Sequence, residues 1–124
     1  MNKERLLRLA RDILPNVPEE NFDLGMWKCG TSACAVGWAA CDPQFNKEGF
    51  RLQEFSNHRF QPYYEISECR SWEAVERFFE LRNKDAEYLF SGEAYRSAAY
   101  CYWSATKKQV IERIEEFVAG GGAP

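Results

Sequence analysis

The chain has 124 residues, 45% hydrophobic, 15% aromatic and 28% charged, which excludes a disordered chain and suits one packed domain. A net charge of −3 and a pI near 5.3 give no global attraction to nucleic-acid phosphates or anionic lipid. No apolar run approaches the ~18 residues of a membrane span.

The first expected element is a helix over residues 2–14. Leu6, Leu9, Ala10 and Ile13 recur on one face, with Lys3, Glu4, Arg8 and Arg11 mostly on the others. Pro15 stops it, and its charged face reads as solvated rather than as a membrane or partner contact. The opening MNKERLLRLARDIL is basic and amphipathic but lacks the h-region and cleavage site of a signal peptide. With five cysteines, an odd number, this points to free thiols in a reducing, cytoplasmic setting. Turn residues Asn16 and Pro18 follow, and Phe22, Leu24, Met26 and Trp27 anchor the approach to the next helix.

Residues 27–41, WKCGTSACAVGWAAC, read as the organising stretch. Lys28-Cys29-Gly30 forms a turn, Thr31 or Ser32 is the expected N-cap, and residues 33–40 form a short helix with no polar face, hence a buried one. Its alanines and Gly37 allow neighbouring backbones to come close. Cys29-x4-Cys34-x6-Cys41 lacks the paired C-x2-C spacing of structural zinc sites and the only histidine is His58, so neither metal nor other cofactor is expected.

Asp42-Pro43 marks the exit from that helix. Phe50 and Leu52, then Phe60, Pro62, Tyr64 and Ile66, alternate with Arg51, Gln53, Gln61, Tyr63 and Glu65, a two-residue period that predicts a β-hairpin over about 50–66 with its loop at 56–59. Pro62 suggests a free edge on the second strand. Ser71 is the expected N-cap of a helix carrying Trp72, Val75, Phe78 and Phe79, and Asn83 that of a shorter one ending at Phe90, with Asp85 in its first turn. Periodicity does not decide residues 93–103. Thr106 with Gln109 makes a capping box, starting a helix with Val110, Ile111, Ile114, Phe117 and Val118 inward. The whole reads as a helix-dominated α+β domain over residues 1–119, with five or six helices around a buried central one at about 31–41, and a flexible tail at 120–124.

The pattern Phe22-Asp23-Leu24, Trp27, Cys29-Gly30-Thr31, Cys34 and Gly37-Trp38-Ala39 resembles that of a family of short, functionally uncharacterised proteins of bacteria and their phages. Phe78-Phe79-x-Leu81, Leu89-Phe90 and the Ile- and Val-rich C-terminal helix are similar to the later part of the same proteins, so the resemblance covers the chain from about residue 22. It implies no activity, cofactor or catalytic residue. Those relatives often have several more residues between the tryptophan and the Cys-Gly-Thr turn, a loop that is shorter here.

For function, the residues favour a non-enzymatic binding or interaction protein whose partner is a host protein or a small anionic, nucleotide-like ligand, with no membrane role and with nucleic acid disfavoured by charge. Oligomeric state is left open. The candidate ligand site is the start of the central helix, where amides of Gly30, Thr31, Ser32 and Ala33 with Lys28 hold an anion while Trp27 or Tyr64 stacks a base. The competing view is that Thr31 or Ser32 simply caps a helix. Tyr63, Tyr64, Tyr95, Tyr100, Tyr102 and Trp103 are candidates for an exposed aromatic surface. Two alternatives remain: a purely structural adaptor, and a cysteine hydrolase with Cys34 as nucleophile and His58 as base. Asp23, Glu65 and Glu68 carry no spacing that pairs them for acid–base work.

Overall fold

Asn2 accepts a hydrogen bond from the Arg5 N–H at 3.1 Å and so starts α1, Lys3–Arg8, which buries Leu6. Instead of stopping before Pro15, the helix loosens into a π turn over Leu9–Ile13 and then tightens into a 3-10 turn over Leu14–Asn16 that contains the proline. Bond accounting explains this. Pro15 has no N–H to return to the turn below, so the Leu14 N–H reaches back five residues to the Leu9 carbonyl and the Asn16 amide donates to the Asp12 carbonyl at 2.7 Å. The charged face is also less solvated than expected. Arg5 donates to the Phe78 carbonyl at 2.7 Å and pairs with Glu48, Arg8 grips Asp42 through two nitrogens, and Arg11 meets Glu115.

The computed structural model describes residues 1–23, 27–29, 32–95 and 105–121. Leu24, Met26, Gly30 and Thr31, most of the 93–103 stretch with Tyr100, Tyr102 and Trp103, and the end of the tail lie outside them. Two very short strands, β1 (Lys28–Cys29) and β2 (Ser32–Ala33), pair antiparallel, and Ala33 also bridges Phe22 and accepts from the Asp23 N–H at 3.0 Å. Ser32 is therefore committed to a strand and caps nothing. The cap is Cys34, whose sulfur accepts from the Gly37 N–H at 3.4 Å, and α2 runs only over Ala35–Ala39. Ala35, Val36 and Ala39 are fully buried as expected. Trp38 is only partly buried, its indole N–H bonded to the Asn21 carbonyl at 3.1 Å, and Cys41 is exposed.

Asp42-Pro43 ends one helix and begins another, which the sequence reading missed. Asp42 accepts from the Phe45 N–H at 3.1 Å, Pro43 fills the first helical position where no N–H is needed, and α3 (Pro43–Lys47) carries Phe45 into the core. Burial works against the charge of Asp42, yet the Arg8 guanidinium and the Phe45 and Gln44 amides hold its carboxyl below the usual range. The resulting stabilisation is complete above the ordinary carboxylate pKa of about 4 and fades as pH falls through the lower folded value. Asp42→Asn keeps a capping oxygen and loses the ion pair, so it is expected to be about 1 kcal/mol less stable at neutral pH. Urea titrations from neutral to acid pH should show that gap closing; a gap that widens in acid would refute the assignment.

Gly49, at φ +97°, leads into a three-stranded antiparallel sheet in the order β3 (Phe50–Ser56), β4 (Arg59–Tyr64), β5 (Cys69–Arg70). Up to Tyr64 the hairpin matches its period, with Phe50 opposite Tyr64, Leu52 opposite Pro62 and a bulge between Glu54 and Ser56, whereas Ile66, expected to continue the inward set, lies in the turn after β4 and is 72% exposed. The third strand was not expected. It pairs only with Tyr63 and Tyr64, so the second hairpin strand is central there and Pro62 lies one residue past the pairing, where its missing N–H does no harm.

Helices α4 (Ser71–Phe79) and α5 (Asn83–Phe90) follow, but neither Ser71 nor Asn83 caps its helix: the caps are Arg70 and Arg82, without side-chain bonds. Ser71 sits at φ +59°, and the Asn83 amide instead donates to Glu76 at 2.9 Å. Asp85, in the first turn of α5, is buried and paired with Arg82 at 3.0 Å. The Thr106–Gln109 capping box is present in both directions and opens α6, Lys107–Ala119, with Val110, Ile114 and Phe117 buried and Ile111 and Val118 partly so. At the centre of the core the Phe78 ring stacks on Phe50 at 4.3 Å and meets Phe45, Phe79 and Tyr64 edge-on.

Candidate functional site

Of the residues placed in the anion site, Gly30 and Thr31 are outside the described residues, and the others are occupied in ways the sequence did not reveal. Trp27 packs edge-on against Trp72 at 5.0 Å. The Lys28 ammonium lies over the Phe60 ring at 5.6 Å, Ser32 is in β2, and Tyr64 turns its ring onto Phe78 at 5.4 Å. Because Cys34 is the N-cap of α2, the Gly37 amide of the first turn addresses that sulfur, at 3.4 Å, rather than a ligand. Five residues also make a weak dipole.

Cys34 is only 2% exposed. Burial pushes its thiol up to about 11, against the lowering effect of the Gly37 and Val36 amides. A nucleophilic cysteine needs the opposite shift. His58 sits exposed at the hairpin turn with φ +58°, its own N–H bonded to the Glu54 carboxylate. Glu65 pairs with Arg51 at 3.0 Å, and Glu68 is exposed at φ +51°. Native alkylation should therefore modify Cys41 and leave Cys34 and Cys69 intact until the protein unfolds. Mass mapping of the modified peptides checks this, and rapid native labelling of Cys34 would reopen the thiol chemistry.

The sheet builds a different surface. Antiparallel register puts Phe50, Leu52, Phe60, Pro62, Tyr64 and Cys69 on the face toward the helices, and Arg51, Gln53, Gln61, Tyr63 and Arg70 on the outer face. Across that face Arg51, Tyr63 and Arg70 form one row, one residue from each strand. The Arg51 guanidinium lies 5.1 Å and that of Arg70 5.7 Å from the Tyr63 ring centre. Arg70 also donates to Gln53 at 2.7 Å, which lays it across the sheet. Phe55, at the bulge, is 54% exposed. Tyr63 was legible as an aromatic candidate; Arg70 was not, because a two-residue strand has no period to read.

Among the described residues no three His, Cys, Asp or Glu side chains gather as a metal site would need, and no helix is long and apolar enough to cross a membrane. Comparison of the chain with protein-family models, with curated proteins and with solved structures returns no match, so no fold or role passes to it from a relative.

Proposed function

We propose that this chain is a non-enzymatic interaction protein and that the outer face of its three-stranded sheet is the surface it binds with. The observation that carries the reading is the Arg51–Tyr63–Arg70 row. Tyrosine and arginine are the side chains that most often anchor protein interfaces, since each offers a large flat area together with directed hydrogen bonds. A sheet face is also shallow, which suits another protein better than a small ligand needing enclosure. The buried, poorly ionised Cys34 supports binding over thiol catalysis.

A photo-crosslinking residue at Gln61, on that face, should trap discrete partners in the cells that make the protein. The same residue at Lys108, exposed on α6, should not. Identical adducts from both positions, or none from Gln61, would overturn the assignment.

A further inference from the structure

The geometry points to an acidic polypeptide segment of a partner as the occupant of the outer sheet face, an inference that rests on the interaction reading above. Arg70 spends its Nε on Gln53 and Arg51 one Nη on Glu65. Among the described residues the other guanidinium N–H groups of both are unclaimed, and a guanidinium matches a carboxylate with two parallel bonds. Both lie over the Tyr63 ring, one from β3 and one from β5. The two guanidiniums approach the Tyr63 ring to 5.1 and 5.7 Å from its centre, which leaves less of it open for a base to stack on. Arg59, also exposed, adds charge from the same strand as Tyr63.

Charge selects further. Arg51 shares its charge with Glu65, whereas Arg59 and Arg70 have no carboxylate partner among the described residues, so the outer face keeps a local positive excess on a chain whose net charge is −3 and the attraction is local. A long polyanion would run onto the acidic remainder of the molecule, whereas a short acidic segment would not. Gln53 and Gln61, between the arginines and the bulge, supply neutral donors and acceptors for its backbone.

The test uses the full chain with three labelled probes: an oligoglutamate peptide, a glycine–serine peptide of equal length, and oligothymidylate. Fluorescence anisotropy gives affinity, and amide chemical-shift mapping gives the place. Oligoglutamate should bind, shift Arg51, Tyr63 and Arg70, weaken several-fold on raising salt to physiological strength, and lose roughly tenfold or more in affinity in Arg51→Glu/Arg70→Glu. Both side chains are exposed, so the variant should fold, which circular dichroism verifies. Equal binding of the neutral peptide, tighter binding of oligothymidylate, shifts away from the sheet, or no binding at all would each overturn the acidic-segment inference. Crosslinks from Gln61 with any of those results would leave the interaction reading standing alone.

Discussion

Gly37→Ala is expected to destabilise the domain by about 3 kcal/mol, the reverse of the usual effect of that change. In an ordinary helix, alanine for glycine stabilises by roughly 1 kcal/mol because it restricts the unfolded chain. Here a Cβ at position 37 would overlap the backbone carbonyl oxygen of Trp27 and come within 2.8 Å of the Ala33 Cβ. Neither neighbour yields easily. Ala33 is held by the pairing of β2 with β1 and by its bridge to Phe22, and Trp27 by the edge-on contact with Trp72. Moving either would also disturb the Gly37 N–H bond to Cys34. Thermal melting should show a fall of about 10 °C. A variant as stable as the parent would mean that this backbone approach is looser than described.

Phe78→Ala should cost about 4 kcal/mol, a large share of the ~5–15 kcal/mol that holds a small domain together. Its ring is fully buried. It touches α3 through Phe45, the sheet through Phe50 and Tyr64, and its helix neighbour Phe79. The guanidinium of Arg5 lies 4.1 Å from its centre, so truncation also leaves a half-buried cation without its aromatic floor. Phe78→Leu fills more of the space and should lose only roughly 1–2 kcal/mol. Urea unfolding of the pair separates cavity from chemistry. Equal losses would indicate that the ring contacts matter more than volume, and no loss in either would remove Phe78 from the centre of the core.

Much of the fold was determined by short-range features of the sequence. Leu6 of α1 with Leu9 in the turn after it, the two-residue period over residues 50–64 and the Thr106–Gln109 box with the apolar face behind it each act over a short range. They appear as expected because nothing distant competes with them. The small residues around Gly37 also announced that some backbone would come close. Which backbone does so was decided by tertiary structure, because Trp27 is brought there by strand pairing rather than by helix spacing.

The same competition explains the misplaced caps. Ser32 has a better side chain for capping than Cys34, yet its backbone is engaged with Cys29, so the helix starts after the last paired residue and a thiol inherits the role. With that shift, the anion site expected of Lys28, Gly30, Thr31 and Ser32 loses its helix end. The outer row of Arg51, Tyr63 and Arg70 was invisible for a related reason. Two of its members belong to a hairpin that local alternation specifies, whereas Arg70 joins them through a two-residue strand that exists only where β4 is already present to pair with it. Local pattern determined which face of each element is apolar; long-range pairing decided which polar groups meet on the other side.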